Sequence, residues 1–242
     1  MKKNHWNLPY SNDYKQFKLK KFFEIRTDDY TVRYCVIPGK NGKTKPPIVM
    51  LQGMGLTMEN WSIDFLKTLD DYTLYLIDPI KSMDLKDYAT SVFQITKDIP
   101  KFYFLGYSFG SFVIQEYMNR YPLKQIEKVI FIAGASLCDY RLHLTKKNTE
   151  IVPGYDYQLV LQQGFAAIKA RLAQESCFLK TGSKTDIPFL FIKAEDEHMF
   201  KQDYVFCGKN EIIVKNVDHN LLHRRPIFIA KQIVAFLNGV VF

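Results

Sequence analysis

One stretch limits the fold of this chain more than any other. Phe102-Tyr103-Phe104-Leu105-Gly106-Tyr107-Ser108-Phe109-Gly110-Ser111-Phe112-Val113 passes from an apolar strand pattern straight into a helical one through G-x-S-x-G. A serine at so sharp a turn must take a strained backbone conformation. Only small neighbours leave room for that turn, which accounts for Gly106 and Gly110. The turn predicts that the Ser108 hydroxyl stands at the carboxyl end of a strand and at the N-terminus of a helix. There the helix dipole favours developing negative charge.

The rest of the chain repeats that strand-then-helix rhythm. The pattern predicts strands over 19–26, 30–36, 48–52, 73–78, 101–106, 127–133, 188–193 and 211–215. Helices are predicted over 58–69, 86–98, 109–120, 199–205 and 220–238, with Pro122 stopping the third. Ile48-Val49-Met50-Leu51 and Val129-Ile130-Phe131-Ile132 are apolar at every position, as strands covered on both faces of a parallel sheet must be. Thr27-Asp28-Asp29 is too short for a crossover and predicts an antiparallel hairpin at one edge. The fold class is therefore α/β, and 242 residues suit one domain spanning 1–242. Residues 137–186 break the rhythm. Tyr157, Leu159, Val160, Leu161, Phe165, Ile168 and Leu172 recur there at helical spacing, which predicts a short helical lid inserted over the sheet.

Composition and charge exclude several classes. With 47% hydrophobic and 24% charged residues the chain can bury a core, which argues against disorder. Its net charge of +8 favours acidic partners, yet no zinc-ligand spacing or ribonucleoprotein-type motif accompanies it, so nucleic acid is not expected. Cys35, Cys138, Cys177 and Cys207 are scattered without a CxxC pair, which suits neither a metal site nor a disulfide framework. The basic start lacks an apolar core behind it, and no apolar run approaches a membrane span, so a soluble, cytoplasmic protein is expected. The basic N-terminal segment and Phe22-Phe23 leave a membrane-surface lipase as a rival, although residues 1–20 carry no convincing amphipathic helix.

A serine hydroxyl needs a base to become a useful nucleophile. Of five histidines, His219 follows the last strand and precedes the last helix, where a base would face Ser108. His223, four residues on, falls inside that helix and is expected to pack or face solvent, while His5, His143 and His198 are placed less well. The base needs an orienting carboxylate. Lys193-Ala194-Glu195-Asp196-Glu197-His198 follows the preceding strand, and Asp196 is the expected residue, with Glu195 and Glu197 as solvated neighbours and Asp139 as a rival. An oxyanion needs two prepared N–H donors. The main-chain amide of Phe109 is one; Gln52-Gly53-Met54-Gly55-Leu56-Thr57 supplies the other, expected at Met54.

These landmarks, in this order, resemble the α/β-hydrolase superfamily over essentially the whole length. The matches are Gln52-Gly53-Met54-Gly55, Gly106-Tyr107-Ser108-Phe109-Gly110, Asp196, and His219 followed by Pro226. Three departures stand out: Gln52 replaces a frequent histidine, Asp78-Pro79-Ile80-Lys81-Ser82 lacks the usual glycines, and Ser111 replaces a third glycine. The resemblance implies a Ser108–His219–Asp196 triad, an acyl-enzyme, and hydrolysis of a carboxylic ester without metal or organic cofactor. A basic lid, with Arg141, Lys169 and Arg171, together with Arg224 beyond the histidine, reads either as a solvated polar face or, more sharply, as a docking surface for an acidic acyl-carrier protein. That pattern is similar to the esterases that remove the methyl ester from pimeloyl-[acyl-carrier protein] in biotin synthesis. A general short-chain carboxylesterase or thioesterase, or a non-catalytic scaffold of the same fold, remain the alternatives.

Overall fold

The computed structural model describes residues 22–26, 31–80, 84–134, 186–197 and 210–242. Eight strands form one sheet: β1 (Phe22–Arg26), β2 (Thr31–Ile37), β3 (Ile48–Leu51), β4 (Leu74–Ile77), β5 (Phe102–Tyr107), β6 (Ile126–Ile132), β7 (Phe189–Asp196) and β8 (Glu211–Asp218). Their spatial order is β1-β2-β4-β3-β5-β6-β7-β8. The β1–β2 and β2–β4 pairs are antiparallel and every later pair is parallel, so the hairpin does lie at one edge.

The continuously apolar strands divide their side chains between two cores. Val49, Leu51, Phe104, Val129 and Phe131 point to one face, where they meet α2 (Leu85–Thr96) and α3 (Phe109–Arg120). Ile48, Met50, Leu105, Ile130 and Ile132 point to the other, beneath α1 (Ile63–Thr68) and the last helix. A strand with helices on both faces has no polar side to spare, so the usual alternation disappears. Burying such side chains contributes roughly 1.5–3 kcal/mol each relative to leaving them in water.

Two predicted helices are interrupted. The 58–69 segment is a 3₁₀ turn, Met58–Asn60, followed by α1, because Trp61 adopts extended backbone and Ser62 becomes the N-cap. The 220–238 segment divides into α4 (Leu221–Arg224) and α5 (Pro226–Leu237). Pro226 has no N–H and biases Arg225 away from helical angles, so the chain breaks there and restarts with proline in the first turn. The 199–205 helix and nearly all of the 137–186 lid fall outside the described residues. Among the described residues no helix is long and apolar enough to cross a membrane.

Candidate active site

The turn between β5 and α3 has the strained form its sequence predicts. Ser108 sits at φ 48° and ψ −110°, in the left-handed range that side chains rarely adopt. Surrounding contacts hold it there. Its N–H donates to Ile132 O at 2.8 Å, and its carbonyl accepts from Ser111 N at 3.0 Å and from Ser111 Oγ at 2.5 Å. The glycines are required by close approach: a Cβ on Gly110 would stand 2.3 Å from Leu51 O, and one on Gly106 would stand 2.7 Å from Ser111 N. Ser111 is thus no loose replacement for a glycine. Its hydroxyl ties the first turn of α3 back to Ser108, and Gly134 leaves it room, since a Cβ there would lie 2.3 Å from Ser111 Oγ.

His219, in the turn after β8, meets Ser108. Its Nε2 lies 2.8 Å from Ser108 Oγ. Across the ring, Nδ1 lies 2.8 Å and 3.0 Å from the two carboxylate oxygens of Glu197. All three side chains are largely withdrawn from water: Ser108 is 8% exposed, and the side chains of His219 and Glu197 are 14% and 5% exposed. With Nδ1 facing a carboxylate, Nε2 faces the serine as an acceptor, the tautomer that proton removal from Oγ needs.

The carboxylate on His219 is therefore Glu197 and not the expected Asp196. β7 runs three residues further than its apolar pattern predicts and ends at Asp196, which is exposed. A register irregularity between Ala194 and Asp196 re-phases the strand end, and Asn216 opposite takes φ 56°. Glu195 answers that irregularity by accepting Asn216 N–H at 2.8 Å. Of the three adjacent acids, Glu195 holds the strand pair, Asp196 faces out, and Glu197 turns in to the imidazole. Asp139 lies outside the described residues.

The loop after β3 has few donors left to offer. Gly53 N–H donates to Gln52 Oε1 at 3.0 Å, Leu56 N–H to Gly53 O at 3.2 Å, and Thr57 N–H to Asn60 Oδ1 at 2.7 Å. Among the described residues, the N–H groups of Met54 and Gly55 have no partner. Phe109 N–H opens α3, where the first N–H groups of a helix have no acceptor within it. Gln52 is fully buried, its Oε1 fixing the loop while its Nε2 has no partner among the described residues.

The far end of the same loop is anchored by Asp78, a residue the sequence marks only by the glycines that do not follow it. Asp78 Oδ1 accepts Met58 N–H at 2.6 Å, and Oδ2 receives Arg33 through Nε at 2.9 Å and Nη2 at 2.6 Å. Burial pushes its carboxyl above the ordinary range, against the pull of Met58 N–H and Arg33. His223 is partly buried, and that burial pushes its imidazole below the usual value. Of the docking candidates, Arg141, Lys169 and Arg171 lie outside the described residues, as do His5, His143 and His198. Arg224 is exposed and engages Asp218, with Nε–Oδ1 at 3.2 Å and Nη2–Oδ2 at 3.0 Å.

No protein-family model matches the chain, and no curated protein matches it. Solved structures do resemble it. A carboxylesterase from Bacillus subtilis superimposes with a TM-score of 0.66 at 18% identity, covering 96% of each chain. An esterase from a Rhodococcus species gives 0.66 at 15% identity over 90% of this chain and 98% of that one. A naproxen esterase from Bacillus subtilis gives 0.62 at 15% identity over 94% and 96%. With its mostly parallel sheet and helices on both faces, the chain has the α/β-hydrolase fold.

Proposed function

We propose that this chain is a serine hydrolase of carboxylic esters, with Ser108 as nucleophile, His219 as general base and acid, and Glu197 as the orienting carboxylate. The observation that carries the reading is one imidazole held at 2.8 Å from both a strained serine Oγ and a buried carboxylate. His219 Nε2 takes the proton as Ser108 Oγ bonds to the ester carbon, and the carbonyl oxygen becomes an oxyanion facing the N–H groups of Phe109 and Met54. As the C–O bond breaks, Nε2 returns that proton to the departing alkoxide. Water then repeats the sequence on the acyl-enzyme and frees the acid and Ser108. No step calls for a metal or organic cofactor.

The structural neighbours that are esterases support an ester as the substrate class, since the fold alone hosts many chemistries. The finer proposal is an acyl-carrier-linked methyl ester such as that of pimeloyl-[acyl-carrier protein], docked on basic residues including Arg224. Hydrolysis of p-nitrophenyl esters of graded chain length, by wild type and Ser108→Ala, tests the class. Activity that survives the substitution overturns it. For the carrier, Arg224→Glu should lower turnover of a carrier-linked ester at least several-fold more than that of a soluble one, and equal losses refute docking there.

A further inference from the structure

The residue before the nucleophile also reaches the base. Tyr107 ends β5, is 2% exposed, and directs its hydroxyl away from its own strand: it donates to the main-chain carbonyl of His219 at 3.1 Å. Its ring lies nearly parallel to the His219 imidazole, with centroids 6.0 Å apart and planes at 25°. On its other side it meets His223 edge-on at 6.1 Å. It also fills the space over the oxyanion loop, where a Cβ on Gly53 would lie 3.3 Å from Tyr107 Cδ1. A buried tyrosine needs a partner for its hydroxyl. Here the partner is the backbone of the turn that carries the base, 112 residues away in sequence.

We infer that Tyr107 is a positioning residue, coupling the place of the base to the place of the nucleophile. This inference rests on the serine-hydrolase reading. The turn holding His219 lies between β8 and α4 and is joined to the sheet at its centre by the Tyr107 hydroxyl. Because Tyr107 is covalently next to Ser108, any shift of the nucleophile carries the support of the imidazole with it. The 2.8 Å approach of Nε2 to Oγ is thereby kept in alignment rather than left to two independent loops.

The test compares Tyr107→Phe with Tyr117→Phe. Tyr117 is also a fully buried tyrosine, but its hydroxyl pairs with Thr96 Oγ1 at 3.0 Å on α2. Both variants lose one buried hydroxyl. Tyr107→Phe should lower kcat on p-nitrophenyl acetate about 2- to 12-fold, the factor of one ordinary hydrogen bond, with KM within two-fold. It should also broaden or remove the far-downfield proton line of the His219 Nδ1–H. Tyr117→Phe should lower the Tm comparably and leave kcat and that line unchanged. In a His219→Ala background Tyr107→Phe should add nothing. Tyr107→His, which keeps a ring and an N–H donor, is the second variant and should retain more of kcat than Tyr107→Phe.

Unchanged kcat and an unchanged Nδ1–H line in Tyr107→Phe would overturn the inference, as would equal kcat losses in Tyr107→Phe and Tyr117→Phe. If Tyr107→Phe does not fold, a Tyr107→His no better than Tyr107→Leu overturns it. A wild type that hydrolyses no ester refutes the hydrolase reading itself, whereas an active wild type with an indifferent Tyr107 refutes only this inference.

Discussion

The turn that carries Ser108 and the strand end that carries Glu197 deliver groups to the same imidazole, but different forces hold them. The first is held by steric exclusion. Gly106 and Gly110 are the residues that let Leu51 and Ser111 come so close, and the backbone of Ser108 is fixed by three hydrogen bonds around it. The second is held by register. Glu195, Asp196 and Glu197 are chemically alike, and a single irregularity in the β7–β8 pairing decides which one meets His219. A steric turn is written locally in small residues; a register is written in the partner strand. The first is robust to any change that adds no atoms, and the second fails when one residue slips.

The largest expected effect breaks the second region without touching its fold. Glu197→Gln keeps the shape and removes the charge, so kcat should fall about 10³- to 10⁴-fold, as when the orienting carboxylate of such a triad is neutralised. Asp196→Asn should stay within two-fold, because that side chain is exposed. Steady-state kinetics on one small ester measures both. Gly110→Ala attacks the first region: the added Cβ meets main-chain atoms of Leu51, which cannot swing aside, so stability should drop by about 1–3 kcal/mol or more. Denaturant unfolding reads that loss, and Tm should fall with activity rather than after it.

A smaller effect is expected where the loop after β3 is anchored. Asp78→Asn keeps an acceptor for Met58 N–H and gives up the charge facing Arg33. Arg33 is nearly half exposed, so solvent takes over part of that interaction and the loss should be about 1–2 kcal/mol. The smallest effect is one of pH. Burial holds His223 below the ordinary histidine value, so the unfolded chain binds the proton more readily than the folded one. The stability linked to this group is complete above about pH 6.5 and is lost as pH falls through the lower folded value. The Tm of wild type should therefore decline between pH 7 and pH 5 more steeply than that of His223→Gln. Parallel declines would show that His223 carries none of the dependence.

Much of this architecture was legible beforehand, for reasons that differ by element. β3, β5 and β6 declared themselves because a strand covered on both faces must be apolar throughout. Ser108 did so because its turn tolerates so few neighbours, and His219 because it follows the last strand. The two helix breaks were less visible: Pro226 was a readable stop, whereas Trp61 breaks its segment through packing in the core that no local pattern announces. Glu197 could not be told from Asp196 by spacing, since β7 extends to Asp196 and its irregularity answers to Asn216, more than twenty residues away. Asp78 and Tyr107 were hidden for a related cause. Their partners, Arg33, Met58 and His219, are brought near by the sheet and not by the sequence.

The most direct test of the account is the rate at which a fluorophosphonate labels Ser108, followed by intact mass and peptide mapping in wild type, Glu197→Gln, Asp196→Asn and Ser108→Ala. The expected result is stoichiometric labelling of Ser108 in wild type and Asp196→Asn at similar rates, labelling slowed by orders of magnitude in Glu197→Gln, and none in Ser108→Ala. Folded wild type that takes no label, or Asp196→Asn slowed where Glu197→Gln is not, would contradict it.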